Sequence, residues 1–333
     1  MFLKTSPEFD ALLRDCASSN REVAFAAQDN YALAIQNVLR GGLLVGDNLA
    51  NIYTQVQLGN NEYQEFALDM LAPGEEDEYI AYTQPGTGLI PERHIEGDYV
   101  RIPYYRLGNS IDWDLKFAAS VNYPMMNRVA EIFQAGFVKK TNDDGWAVII
   151  SAAADRNILI YDADATAGQF TKRLISLAKV AMRRNGGGNA TSLKRSKLTD
   201  FFCSPEAEED VRAWSIDQID DTTRREIYTA EDGSATLTRV YGVNMHTLDE
   251  FGEGQIYQQF YTDSLGASLQ ASDLELAIGL DLQSDDAFYM PIKSGVEVFS
   301  DTSGHRRQRA GLYGWSAHGF GCLDTRRVIA LSF

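Results

Sequence analysis

Two closely spaced pairs of aspartates are the candidates for metal binding in this 333-residue chain. Asp112 and Asp114 flank a tryptophan, and Asp162 and Asp164 flank an alanine. Paired carboxylates suit a hard cation, but neither pair has the spacing of a calcium loop. Aspartates in such positions more often cap helices and stabilise turns. A metal-dependent enzyme is therefore the weakest of the functions that the sequence leaves open.

Other motifs that would dictate a mechanism are missing from the sequence. The glycines at 186–188 lack the GK[ST] of a phosphate loop, and Gly86 and Gly88 lack the third glycine of a dinucleotide fingerprint. Neither GxSxG nor HExxH occurs. The histidines are scattered along the chain, at His94, His246, His305 and His318. Scattered histidines favour surface or packing roles, so the sequence predicts no catalytic residue, no metal site and no cofactor.

Composition favours a folded protein without membrane spans or disulfides. A hydrophobic fraction of 44% is enough for a core. Apolar runs stay far below the ~20 residues of a membrane helix, and the N-terminal residues lack the apolar region of a secretory signal. The three cysteines lie far apart, which argues against a disulfide framework. The net charge of −17 disfavours phosphate binding over the whole surface, although an acidic shell can still surround nucleic acid.

Residues 123–155 are the stretch around which the other elements are organised. Apolar side chains recur there at helical spacing, except in the polar segment 141–145 (TNDDG). Asn122 suits an N-cap, and Pro124 is tolerated in a first helical turn. A continuous helix would be about 45 Å long, whereas a turn at 141–145 would give two shorter helices. We favour one long helix, which would act as a strut.

The first fifty residues predict an arm that carries one helix. Apolar residues recur on one face from Arg21 to Leu39, and the glycine pair at Gly41 and Gly42 predicts the end of the helix. Tyr31 and Val38 lie near that apolar face. Because no neighbouring element offers a packing partner, we expect the arm to dock elsewhere, on another copy of the chain.

Residues 51–114 alternate with a period of two and predict a long, irregular β-hairpin. A two-stranded hairpin is marginally stable alone, and tyrosine is enriched at protein interfaces. The aromatic residues that we predict to contact another subunit are Tyr63, Phe66, Tyr79, Tyr82, Tyr99, Tyr104 and Tyr105. The basic residues Arg306, Arg307 and Arg309 are further contact candidates, because they would complement acidic runs on a second copy.

The remainder of the chain predicts a compact α/β lobe followed by a β-rich return. The lobe contains a second amphipathic helix, a strand at Leu198–Cys203, and a helix that Ser204 caps and Pro205 begins. Further strands are predicted at Gln255–Tyr261, Leu274–Asp281, Gly295–Phe299, Gly311–Ala317 and Arg327–Phe333.

This order of elements resembles the major capsid protein of tailed bacteriophages, whose Hong Kong ninety-seven-type fold is shared with encapsulins. The stretches that carry the resemblance are NEYQEFALDM with DYVRIPYYRL, PMMNRVAEIFQAGFVKKTNDDGWAVIISAAAD, KLTDFFCSPEAEEDVRAW with VYGVNMHTLDEFG, and RRQRAGLYGWSAHGFGCLDTRRVIALSF. The resemblance implies an α+β fold. Its expected parts are an N-terminal arm (1–50), an extended hairpin (51–114), a peripheral domain with the spine helix (115–160), an axial domain (161–285), and a β-rich return to the peripheral domain (286–333).

The resemblance also implies a structural protein that is not an enzyme. Its copies would form the hexamers and pentamers of an icosahedral shell around packaged double-stranded DNA, in the virion, after assembly in the host cytoplasm and without a membrane. A portal and a separate scaffolding protein are implied as partners, because the region before the hairpin is too short for a fused scaffolding segment. No lysine lies between Lys4 and Lys116, so the hairpin lacks the lysine of a covalent chain-mail bond. We therefore predict non-covalent assembly. An encapsulin-like compartment, which would enclose enzymes, stays open as an alternative.

Overall fold

A computed structural model describes residues 7–45, 48–59, 65–67, 99–120, 123–185, 196–214, 239–270, 273–283 and 287–333. The chain divides into two compact units. The first unit consists of Met1–Glu65, Arg101–Gly145 and Tyr289–Gly321, and the second of Phe66–Val100, Trp146–Phe288 and Cys322–Phe333.

The described helices and strands follow the chain in this order. The helices are α1 (Pro7–Cys16), α2 (Arg21–Val45), α3 (Leu115–Ala119), α4 (Tyr123–Asp155), α5 (Lys172–Asn185), α6 (Pro205–Ala213) and α7 (Ile256–Gln259). The strands are β1 (Thr54–Gln57), β2 (Glu65–Ala67), β3 (Tyr99–Arg101), β4 (Tyr105–Asp114), β5 (Leu159–Ile160), β6 (Asp200–Cys203), β7 (Arg239–Val240), β8 (Val243–Thr247), β9 (Leu276–Leu280), β10 (Phe288–Asp301), β11 (Arg309–His318), β12 (Gly321–Cys322) and β13 (Val328–Ser332).

The first unit is built on a sheet with the strand order β1-β10-β11-β4. Its longest ladder joins β11 and β4, which run antiparallel with Arg309 opposite Asp114 and His318 opposite Tyr105. Apolar side chains of α1, α2 and α4 pack with those of β4, β10 and β11 into one buried cluster. Hydrophobic burial in that cluster holds the two N-terminal helices on the unit.

The N-terminal region therefore differs from the predicted arm. Tyr31 and Leu13 are completely buried, and the Tyr31 ring lies 5.7 Å from the Trp113 ring, centroid to centroid. The expectation that this region must dock on another copy is wrong for α1 and α2, because β4 supplies the packing partner within the same chain. The predicted helix end at Gly41 and Gly42 is also wrong, since α2 continues to Val45. A glycine inside a helix costs about 1 kcal/mol but does not forbid the helix.

The prediction of one long helix at residues 123–155 is confirmed, because α4 is continuous. Within the polar segment, Lys140 and Asp144 form an ion pair of 2.6 Å at the i,i+4 spacing that stabilises helices. The carbonyl of Gly145 accepts a hydrogen bond of 2.9 Å from the Tyr53 hydroxyl. The polar side chains of this segment are half-buried or paired. The helix therefore continues through residues 141–145 without a break.

The second unit contains a mixed sheet in the order β5-β13-β9-β6-β8-β7. The Ser204 hydroxyl caps α6 by accepting a hydrogen bond of 3.2 Å from the Ala207 amide, as predicted. The strand predicted at Gln255–Tyr261 is wrong, because α7 and a π-helical turn occupy this stretch. Tyr257 and Tyr261 are both buried, and their i,i+4 spacing is helical. Within the described residues, no helix is both long and apolar enough to cross a bilayer.

Candidate assembly surface

Within the predicted hairpin (51–114), β2 and β3 pair as a two-stranded sheet. The strands β1 and β4 of the same stretch belong to the sheet of the first unit, which corrects the predicted bounds of the hairpin. Arg101 Nε donates a hydrogen bond of 2.9 Å to Glu65 Oε1, which joins the two strands. Tyr99 is 62% exposed, the highest exposure of any large apolar or aromatic side chain in the described part of the chain. Phe66 is buried, so its ring is closed to a second copy, which corrects the prediction for this residue. Among the described residues of β2 and β3, Tyr99 is therefore the aromatic side chain that is exposed.

The tyrosines at the start of β4 have different environments. The Tyr104 hydroxyl accepts a hydrogen bond of 2.5 Å from Lys293 Nζ, and its side chain is half-buried. Tyr105 is exposed over 39% of its surface. Burial of its hydroxyl region, and secondly the charge of Asp144, raise the pKa of Tyr105. The phenol thus stays protonated at neutral pH and remains a hydrogen-bond donor.

The basic candidates lie at the turn before β11 and at its first residue. Arg306 and Arg307 are exposed, and neither has an ion pair among the described residues. Arg309 is exposed but is held within the chain, because its Nη1 lies 3.3 Å from Asp112 Oδ2 and its Nε lies 3.7 Å from Asp114 Oδ1. Two cationic side chains of this turn are therefore open to an acidic partner.

The remaining candidates are placed as follows. Tyr63, Tyr79 and Tyr82 lie outside the described residues, as does the side chain of Val38. Tyr31 is corrected as a contact candidate, because a completely buried ring cannot touch another subunit.

The two aspartate pairs are occupied by basic side chains. Lys116 Nζ lies 2.9 Å from Asp114 Oδ2, and this hydrogen bond lowers the pKa of Asp114. Asp162 accepts a hydrogen bond of 2.8 Å from the Thr171 hydroxyl, and Arg173 Nη1 lies 3.3 Å from its other oxygen. Where the structure describes the chain, no group of three metal-ligating side chains comes together. The contacts of these aspartates indicate that they form salt bridges at turns.

A cavity of about 250 Å³ in the first unit was not predicted from the sequence. Its walls come from β1, β10 and β11, which are far apart along the chain, so no local pattern indicates it. His318 lines the cavity and is 5% exposed, in agreement with its predicted packing role. Burial lowers the pKa of His318, and its Nε2 atom has no hydrogen-bond partner among the described residues. His246 is also a packing histidine, bonded to Asp200 Oδ1 at 2.9 Å.

Comparison with known proteins identifies the fold. No model of a protein family matches the sequence, and no curated protein matches it. Solved phage capsid structures match the chain over most of its length, so the chain has the fold of these capsid proteins. The predicted α+β capsid fold is confirmed.

Three of these structures show the extent of the match. The capsid of Cyanophage P-SCSP1u has a TM-score of 0.54 and 13% identity, over 84% of this chain and 86% of that chain. The mature capsid of bacteriophage PhiM1 has a TM-score of 0.51 and 14% identity, over 84% and 85%. The capsid of the native GTA particle has a TM-score of 0.52 and 14% identity, over 86% and 89%. At such identities the likeness establishes the fold alone.

Proposed function

We propose that this chain is a major capsid protein. Its copies assemble into the hexamers and pentamers of an icosahedral shell that encloses double-stranded DNA, with no enzymatic role. The observation that carries the proposal is the match to capsid structures over 84% to 86% of the chain. A separate scaffolding protein and a portal complete the proposed assembly.

The exposed hairpin residue Tyr99 gives physical support to the proposal. A two-stranded hairpin is marginal on its own, and β2 and β3 expose Tyr99 to solvent. Burial of an aromatic side chain contributes about 1.5–3 kcal/mol, and subunits of an obligate assembly bury roughly 2,000 Å² or more at their interfaces. Contact with a neighbouring copy would supply this burial.

The test of the proposal is the mass of the purified full-length chain. Sedimentation velocity and negative-stain microscopy should reveal capsomers or closed shells. A chain that sediments as a 37.0 kDa monomer at every concentration would overturn the proposal.

A matched pair of variants tests the role of Tyr99. Tyr99→Ser should lower the assembled fraction about tenfold, the effect of losing roughly 1.4 kcal/mol at a contact. The control is Leu33→Ser, which removes a 55% exposed apolar side chain from α2, outside the hairpin. Equal losses in both variants would contradict a specific contact at Tyr99.

The enclosed cargo separates the proposal from the encapsulin-like alternative. Native particles treated with nuclease should retain protected double-stranded DNA. Particles that hold enzymes and no DNA would instead identify a protein compartment.

A further inference from the structure

The second unit carries a basic cluster at the turn between β7 and β8 and on the neighbouring helix α5. A methyl group at Gly242, in the turn between β7 and β8, would lie 3.9 Å from Lys179 Nζ and 4.0 Å from Arg239 Nη2. The two cationic groups are therefore close neighbours, and the charge of Arg239 contributes, after burial, to a lowered pKa of Lys179. Arg183 follows Lys179 by one helical turn on α5 and is exposed. We call Lys179, Arg183 and Arg239 the basic cluster.

The basic cluster is not neutralised by the rest of the unit. Lys179 Nζ donates a hydrogen bond to the Tyr241 carbonyl, which is an uncharged acceptor. In the described ranges, no carboxylate forms an ion pair with any of the three side chains. Like charges held close together repel one another, so a partner with negative charge would be bound favourably here.

An acidic cluster lies at the start of α6 in the same unit. Burial raises the pKa of Glu275 against the opposing effect of its hydrogen bond with Ser204, and the negative charges of Glu206 and Glu253 raise it further. A methyl group at Gly252 would lie 3.4 Å from Glu206 Oε2, which places the 252–253 loop beside this side chain. The helix dipole of α6 favours an acid at Glu206, but it does not account for Glu253. We call Glu206 and Glu253 the acidic cluster.

The two clusters lie at opposite ends of the strands. β6 and β8 are parallel, and Cys203 pairs with Thr247, so both strands end on the side where α6 begins and the 252–253 loop lies. The turn that carries the basic cluster precedes β8. Five residues of strand span about 16 Å, whereas the Debye length at physiological ionic strength is about 8 Å. The clusters therefore cannot neutralise each other within one copy.

The chemistry of the two clusters points to a second copy of this chain as the partner. We propose that the basic cluster of one copy docks on the acidic cluster of the next, in a head-to-tail contact that repeats around a ring of subunits. This inference rests on the proposed capsid function and specifies one of its contacts. Contacts between different patches on identical subunits close into rings when the rotation permits, and complementary charge sets their register.

Apolar side chains border both clusters and would add burial to the contact. Tyr241 in the basic turn is 36% exposed, and Val180 beside Lys179 is 49% exposed. Ile256, three residues after Glu253, is 55% exposed. These side chains would be removed from water when the two clusters meet.

The test uses charge reversal of exposed side chains in the full-length protein. One variant carries Arg183→Glu with Arg239→Glu, and the other carries Glu206→Lys with Glu253→Lys. Each alone should lower the assembled fraction at least about tenfold, because like charges opposed at an interface cost several kcal/mol. Mixed in equal amounts, the two variants should form hexamers in which they alternate, because each presents to the other the charge that it has lost. A ring of five cannot alternate, so closed shells are not expected from the mixture. Rescue in the mixture also shows that both variants are folded.

Controls separate the outcomes. Lys172→Glu with Lys197→Glu makes the same change in net charge as Arg183→Glu with Arg239→Glu, at two other exposed positions of the second unit, and should leave assembly unchanged. A wild-type chain that never assembles overturns the capsid function itself. Assembly at the wild-type level by the reversal variants, or a mixture that fails to form hexamers, overturns the head-to-tail contact alone. If Arg183→Glu with Arg239→Glu assembles normally but binds a double-stranded DNA probe more weakly, the basic cluster contacts DNA phosphates, which overturns the contact between copies.

Discussion

Just before β13, Arg327 and Asp281 form an ion pair that is almost completely buried. Arg327 Nη1 lies 2.7 Å from Asp281 Oδ2, and the two side chains are 7% and 2% exposed. The same carboxylate oxygen accepts a hydrogen bond of 3.0 Å from the Lys197 amide, so it joins three segments of the second unit. A buried pair adds little net stability over apolar packing, but loss of one partner leaves an uncompensated charge away from water.

We predict that Asp281→Asn lowers the free energy of unfolding by about 3 kcal/mol, because the buried Arg327 would keep only its longer contact of 3.4 Å with Asp324. Asp112→Asn is the matched control. It removes a carboxylate from the exposed pair with Arg309 and should cost less than about 1 kcal/mol. Urea denaturation of both variants measures the difference, and similar losses would contradict a special role for burial.

The buried ring of His318 makes stability depend on pH. Burial holds its pKa in the folded state below the ordinary value, with the charge of Asp144 as a smaller opposing effect. The unfolded chain therefore binds more protons between the folded pKa and about 6.5. This contribution to stability is fully present above about pH 6.5 and is lost as the pH falls towards the folded pKa.

We predict that His318→Phe removes this part of the pH dependence. The replacement ring keeps the aromatic neighbours Tyr105 and Phe320, 6.0 Å and 5.4 Å from the His318 ring. Thermal unfolding of both proteins between about pH 7.5 and about pH 5 provides the measurement. The fall in the wild-type midpoint should exceed that of the variant, and parallel profiles would show that His318 does not titrate on unfolding.

At the scale of elements, β11 lies between β10 and β4 and has close backbone neighbours. A methyl group at Gly314 would lie 2.8 Å from the Glu297 carbonyl oxygen and 3.1 Å from Phe133 Cζ of α4. A backbone oxygen at this distance cannot move without disturbing the strand pairing. Gly314 thus permits the close approach of helix and sheet in the first unit.

Gly314→Ala should therefore lower the free energy of unfolding by about 2 kcal/mol, within the range for overpacked interiors. Gly295→Ala on the neighbouring strand β10 is the control, because a methyl group there has no atom within 4 Å. This control should change stability by less than about 0.5 kcal/mol. Chemical denaturation compares the two, and a neutral Gly314→Ala would mean that the strands adjust at little cost.

The sequence predicted those elements whose signals are local. The periodicity of α4 and the Ser204–Pro205 start of α6 lie within a few residues, and both predictions are confirmed. The packing of α2 on β4 was missed, because the contact of Tyr31 with Trp113 joins distant parts of the chain. Gly41 and Gly42 predict the end of α2 wrongly, because neighbouring helical turns can outweigh the low helix propensity of glycine.

The sequence predicts the region of the candidate surface, but it does not predict which of its aromatic side chains are exposed. Tyrosine content pointed to the hairpin, and Tyr99 is exposed there. No sequence pattern indicates which aromatic residues the chain buries against itself, so Phe66 was assigned wrongly. No local sequence pattern predicts that Lys179 lies close to Arg239, because α5 and β7 meet only in the folded unit.

At the scale of the whole molecule, the net charge of −17 makes copies of the chain repel one another on average. Assembly must then rely on local apolar burial and on patches of opposite charge. Both the exposed Tyr99 and the two charge clusters of the second unit fit this requirement. Salt would screen both effects: it would weaken the repulsion between copies, and it would also weaken the attraction between the basic cluster of one copy and the acidic cluster of the next.

Covalent bonds between subunits are not expected to hold the particle. No lysine lies between Lys4 and Lys116, so the hairpin has no amine for a cross-link. Cys16 and Cys203 are buried, and burial raises the pKa of Cys16 and of the half-exposed Cys322 to about 12, which suppresses thiolate chemistry.

We predict that assembled particles, boiled in SDS with or without reductant, run as one band at 37.0 kDa. A ladder that persists under reducing conditions would reveal cross-links other than disulfides. A ladder that disappears with reductant would show that a cysteine becomes exposed on assembly. Either pattern would contradict a shell held together by burial and charge alone, because such contacts do not survive denaturation.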